Sequence, residues 1–130
     1  MLEVEIVGPP VAAGVLEQVE IERLCALAAA TAGVEEGHVA VEFVDAARIA
    51  ALNLEHRGRG GPTDVLSFPI DEDGAALGPR ELGDVVICAE HTEDLREAVV
   101  HGALHLVGYD HETDDGEMLR VQDEVLREHA

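Results

Sequence analysis

The stretch DVVICAEHTEDLREAVVHGALHLVGYDH, residues 84–111, carries both the organising strand and the densest chemistry of this 130-residue chain. Its first seven residues form a near-continuous apolar run of the kind that strands covered on both faces require, and they predict a central strand over 84–90. From Thr92 the pattern changes. TEDLREAVVHGALHLV places acids in its first turn, where the helix dipole favours negative charge, and predicts a long helix over 92–107. Gly108 stands where a left-handed residue can stop that helix and swing Tyr109, Asp110 and His111 back over it.

Working outward, LEVEIV (2–7) and HVAVEFV (38–44) alternate with period two and read as half-buried strands. VLEQVEIERLCALAAATAG (15–33) spaces Leu16, Val19, Leu24 and Leu27 near the helical period and ends at Gly33. Asp45 is placed to cap a short helix, AARIAALNLEHR, which runs out at Gly58. VLSFPI (65–70) predicts a third strand, with Pro69 marking its end or a sheet edge. A last helix is expected from about Asp114 to about Glu128, with Glu117 as capping-box partner. The order β-α-β-α-β-β-α-α gives an α+β fold in a single domain over residues 1–130. It is expected to hold one mixed four-stranded sheet, helices packed mainly on one face, and a histidine-bearing helix that ends in a glycine turn.

Composition excludes several classes. The aromatic share is 2%, so Leu, Val, Ile and Ala must fill the core. Cys25 and Cys88 each sit inside an apolar run and read as small buried hydrophobes rather than a redox pair. No basic leader precedes an apolar segment, and no apolar run approaches the roughly 20 residues of a membrane span, which points to a cytoplasmic protein without a membrane partner. There are 28 acids against 8 bases, all of them Arg, for a net charge of −20. Such a charge repels polyanions at long range, and by itself it argues against nucleic-acid binding.

Three of the seven histidines fall within HGALHLVGYDH. His101 and His105, four residues apart on a helix, stack about 6 Å apart on one face, so both imidazoles can reach one ion at roughly 2.0–2.1 Å. On a continued helix His111 would point about 120° away, so it can join them only if the chain turns at Gly108. An isolated HxxxH is more often two surface histidines. The glycine break and the third histidine at this offset make His101, His105 and His111 candidate ligands of one zinc ion per chain. Three histidines leave a fourth position for water, whose pKa zinc lowers to about 7. His38, His56, His91 and His129 have no such neighbours in sequence and are expected at the surface. The spacing H-x-x-x-H-x-x-G-x-x-H is also that of metzincin peptidases, but their general-base Glu is replaced by Gly102, which cannot move a proton.

LNLEHRGRGGPTDVLSFP (52–69) sets Arg57 and Arg59 in a glycine-rich loop before a strand. A guanidinium fork grips phosphate oxygens bidentately, although two arginines in such a loop are by themselves more often simply solvated. Taken together, LNxxxRGxxxPTDVLSFP, then GDVVIC, then HGxLHLxGYDH resemble the YbeY-type endoribonucleases, the bacterial rRNA maturation factors, from about Val41 to the C-terminus.

That resemblance implies a zinc-dependent, single-strand-specific endoribonuclease acting in 16S rRNA 3′-end maturation and ribosome quality control. Its partners would be single-stranded rRNA precursor and the small subunit or its assembly factors, with no DNA expected. The resemblance implies His101, His105 and His111 as metal ligands and Arg57 as the arginine needed for activity. Asp64, Ser67, Asp84 and Asp110 match motif positions without an assigned catalytic role; Asp110 is placed to orient a ligand histidine, and Asp84 to cap the turn before its strand. Between GDVVICAE and HG the chain has only about ten residues where the family pattern has a longer helical segment, which implies two helices merged into one. The competing readings are a ribosome-assembly factor with a structural or vestigial zinc site and, weakened by Gly102, a small zinc peptidase.

Overall fold

The computed structural model describes residues 2–7, 18–58, 60, 61, 63–69, 81–109 and 116–129. The elements run β1 (Leu2–Val7), α1 (Gln18–Ala30), β2 (Gly37–Val44), α2 (Ala46–Arg57), β3 (Val65–Pro69), β4 (Glu81–Cys88), a 3-10 turn at Ala89–His91, α3 (Leu95–Leu106) and α4 (Glu117–His129). This is the expected order. The sheet is ordered β1-β2-β4-β3, with β1, β2 and β4 parallel and β3 antiparallel to β4 at the edge. The apolar run around Val85–Cys88 therefore lies between two neighbours, and all four of those residues are buried.

Several boundaries differ from expectation: the strand expected over 84–90 ends at Cys88, before the 3-10 turn, and the helix expected to run to Gly33 ends at Ala30. β4 starts at Glu81, so Asp84 lies within the strand opposite Ala40 and Phe68 and caps no turn before it. The helix expected from Thr92 starts at Leu95. Asp94 takes the N-cap and accepts from the Arg96 and Glu97 amides at 3.0 and 3.3 Å, while the Thr92 hydroxyl donates back to the Cys88 carbonyl at 2.7 Å. One carboxylate oxygen can serve two orphan amides at once, which is how Asp94 displaces Thr92 as the cap. A single helix, α3, then reaches the histidines, as the shortened segment implied. By contrast α2 has both expected caps. Asp45 accepts from the Arg48 amide at 2.8 Å, and Gly58 closes the helix with φ 68°. Glu117 is the first residue of α4, after Gly116 at φ 91° whose carbonyl accepts from the Arg120 amide, so it is not the third-position partner of a capping box as expected; Asp114 lies outside the described residues.

The principal core lies between the sheet and α1, α3 and α4, built on Leu24, Val41, Val85, Ile87, Val99, Leu104 and Met118. A smaller cluster on the other face joins Ile49 and Leu52 of α2 to Leu66, Val86 and Cys88. Both cysteines are free and buried, and burial, aided by Glu22, pushes the Cys25 thiol up to about 12, so it stays a protonated hydrophobe. No helix among the described residues is long and apolar enough to cross a membrane.

Beyond α2, the second face carries Glu5, His38, Glu81 and Asp84. His38 Nδ1 lies 2.8 Å from Glu81 Oε1, and its Nε2 lies 3.4 Å from Glu5. The hydrogen bond to Glu81 raises the His38 pKa above its ordinary value; burial, and then the neighbouring Glu81, raise that of Asp84. Both shifts act in the same direction. A raised histidine contributes stability that is full below its unfolded pKa of about 6.5 and is lost as pH rises through the folded value; a raised carboxyl destabilises the fold once ionised. Urea melts should therefore show the stability advantage of wild type over His38→Ala growing as pH falls through the raised His38 value, to a plateau below the unfolded pKa of about 6.5. An advantage that is constant or shrinks over that window would refute the role given to His38.

Candidate metal centre

α3 is seated on the sheet by its only glycine. A Cβ at Gly102 would overlap Val85 Cγ1 and lie 3.3 Å from Ser67 Oγ, and the Ser67 hydroxyl donates to the Gly102 carbonyl at 3.0 Å. Such close contact on one side turns His101 and His105, which flank Gly102 and Leu104, towards the cleft on another side. It also explains why glycine stands where a zinc peptidase has glutamate. That position faces the packed sheet and has no room for a side chain.

The two imidazoles meet edge to face, with centroids 4.8 Å apart and planes at 78°, and their Nε2 atoms are 3.2 Å apart. Each Nδ1 is held separately. α3 ends in a Schellman turn: Gly108, at φ 108°, donates to the His105 carbonyl at 3.2 Å, and Tyr109 donates to the Leu104 carbonyl at 3.1 Å. The turn brings the Tyr109 carbonyl back to within 2.9 Å of His105 Nδ1, and the Tyr109 hydroxyl, 3.2 Å from Thr31 Oγ1, fastens it to the end of α1. His101 Nδ1 faces Gln122 Oε1 of α4 at 2.9 Å. A carbonyl oxygen only accepts, so the Tyr109 carbonyl favours the proton of His105 on Nδ1, and Gln122 Oε1 offers an acceptor to His101 Nδ1 in the same way.

This geometry fits a zinc ion. Two nitrogens bound to one tetrahedral ion at about 2.0–2.1 Å lie about 3.3 Å apart, close to the 3.2 Å seen between His101 and His105. Oxygen acceptors on the far nitrogens are the usual support of metal-ligating histidines. His111 lies outside the described residues, and among those described no group of three or more His, Cys, Asp or Glu side chains forms a metal cage.

A cleft of about 1300 Å³ opens over the pair, between α3, edge strand β3 and the end of α2. His56, one residue before Arg57, lines it and packs edge-on to Phe68 at 4.8 Å; His91 lines it too, so two exposed histidines face the same space as the pair. Asp64, Glu93 and Glu97 give one wall a negative charge. The Arg57 side chain, Arg59, Arg80 and Asp110 lie outside the described residues.

Among the motif residues, Asp64 is structural. Its carboxylate accepts from the Val65 amide at 2.9 Å and its carbonyl from the Cys88 amide, starting β3. Asp84 lies on the opposite face of the sheet from α3, since Val85 packs on Gly102. Asn53 is buried and donates to the Gly61 carbonyl at 3.0 Å, which ties the arginine loop to α2. Gln122 was missed by sequence reasoning. Its signal was a polar residue interrupting an apolar stripe, four residues after Met118 and three before Val125.

Fold and site together define an α+β protein that presents a converging histidine pair at the mouth of a cleft. The family model described as Endoribonuclease YbeY matches residues 15–130. The endoribonuclease YbeY of Geobacillus kaustophilus is 43% identical and that of Geobacillus thermodenitrificans 41%, each match covering 85% of both chains. Each alignment runs over 133 positions with only 85% of this chain, so these relatives hold residues that this chain lacks. The solution structure of TM1509 from Thermotoga maritima superposes with a TM-score of 0.59 at 27% identity, covering 97% of this chain and 88% of that one. The chain belongs to the endoribonuclease YbeY family.

Proposed function

We propose that this chain forms one domain over residues 1–130 that acts in the cytoplasm as a zinc-dependent, single-strand-specific endoribonuclease, in 16S rRNA 3′-end maturation and ribosome quality control. The observation that carries the reading is the 3.2 Å approach of two Nε2 atoms whose opposite nitrogens both face oxygen acceptors. His101, His105 and His111 would hold the ion. Bound there, a zinc ion would supply Lewis acidity towards a water or a phosphoryl oxygen. Arg57, delivered from the end of α2 beside the cleft, grips the scissile phosphodiester and neutralises charge that develops on it.

The net charge of −20 shapes the partners. With acids lining the cleft, such a protein holds RNA only if positive groups come together; the ion, Arg57, Arg59 and Arg80 of the sequence are the groups available for this. Affinity then comes from the precursor small subunit or its assembly factors, not from a long basic footprint.

The test is cleavage of a 16S 3′-precursor fragment, unpaired and annealed, by wild type and Arg57→Ala with matched melting curves. The expected result is cutting of the unpaired strand only, with a loss of at least about 10²-fold in Arg57→Ala, the scale of removing a transition-state charge contact. Equal cleavage by the two proteins would refute the role of Arg57. If Arg57→Ala also supported subunit maturation, the assembly-factor reading would replace this one.

A further inference from the structure

Gln122 and Asn53 are the two polar side chains buried among the described residues. Gln122 lies on the buried stripe of α4 with Met118 and Val125, both essentially inaccessible, and an amide in such surroundings is costly unless hydrogen-bonded. Its Oε1 meets His101 Nδ1 at 2.9 Å, a contact that joins α4 to α3 between residues 21 apart in the chain.

The pair has two ways to place its protons. His105 has no choice, because the Tyr109 carbonyl at 2.9 Å fixes its proton on Nδ1. His101 can carry its proton on Nε2 and donate it to His105 Nε2 at 3.2 Å, closing a histidine–histidine hydrogen bond that hides both lone pairs. Alternatively it can carry the proton on Nδ1 and leave both lone pairs directed at one point. As placed, with Oε1 and not the amide NH2 towards Nδ1, Gln122 rewards only the second arrangement.

We propose that Gln122 is a positioning residue that holds His101 in the Nδ1–H tautomer, so that α4 sets the metal affinity of the histidines on α3. The inference rests on the zinc reading above. Losing an outer hydrogen-bond partner of a ligand histidine costs about 10–100-fold in metal affinity, and Gln122 is such a partner.

Two variants separate the acceptor from the packing: Gln122→Leu keeps the bulk and loses the oxygen, and Gln122→Glu keeps an acceptor. Zinc affinity is read by competition with a chromogenic chelator, and the tautomers by ¹⁵N spectra of the histidine rings in metal-free protein. The expected results are a wild-type His101 protonated on Nδ1, zinc binding about 10–100-fold weaker in Gln122→Leu, and affinity restored in Gln122→Glu. Binding by Gln122→Leu within threefold of wild type, or a wild-type His101 protonated on Nε2, overturns the inference while leaving the zinc reading intact. Absence of zinc uptake by wild type defeats both, and the two failures are thus distinct. Should Gln122→Leu not fold, the wild-type tautomer and the Gln122→Glu affinity still decide the question.

Discussion

Gly102→Glu is expected to leave the chain unfolded in buffer. The change restores the residue that zinc peptidases carry after their first histidine, at the place where α3 touches the sheet. Any Cβ there overlaps Val85 and crowds Ser67. Overpacking a core site costs about 1–3 kcal/mol, and a carboxylate buried without a partner adds several more, against a typical total stability of about 5–15 kcal/mol. Gly102→Ala is the milder form: helix propensity returns about 1 kcal/mol, so its net loss should stay below about 2 kcal/mol. Urea melts of both variants check this, and a Gly102→Glu protein with the wild-type midpoint would show that the seat of α3 is not as described.

If His105 holds zinc as proposed, His105→Ala should abolish zinc uptake and reduce RNA cleavage by more than the roughly 10–100-fold that follows loss of an outer partner. Metal-free stability should change little. His105 is half-buried, and its ring packs edge to face on the neighbouring His101 of the same helix, at the cleft rather than in the core. The measurements are metal content, cleavage rate and melting temperature on one preparation. Full cleavage without zinc in the variant would place the chemistry elsewhere.

Much of this was legible in the chain. Asp45 and Gly58 bracket α2 as cap chemistry requires, LEVEIV alternates cleanly because one face of β1 packs on the core and the other does not, and Pro69 ends β3. The start of β4 was hidden. Glu81, Leu82 and Gly83 look like a turn, but a register shift opposite His38 and Val39 accommodates Leu82, and Gly83, at φ 133°, packs on the Phe68 carbonyl. The onset of α3 was misjudged because Thr92 and Asp94 are both capping residues, and only the folded geometry decides which of them meets the amides.

At the site, the i, i+4 spacing and Gly108 revealed the pair and its turn, since both are local. Gln122 and His56 are not local. One reaches His101 from another helix, and the other joins the cleft only because α2 ends beside the edge strand.

The central claim is that the histidine pair holds the ion on which cleavage depends. Metal-free wild-type protein titrated with zinc, with ¹⁵N ring spectra and RNA cleavage followed on the same sample, tests it directly. The expected result is one equivalent per chain, shifts at Nε2 of both His101 and His105, and cleavage rising in proportion to the occupied fraction. Full cleavage before zinc is added, or uptake that leaves both Nε2 resonances unmoved, would contradict it.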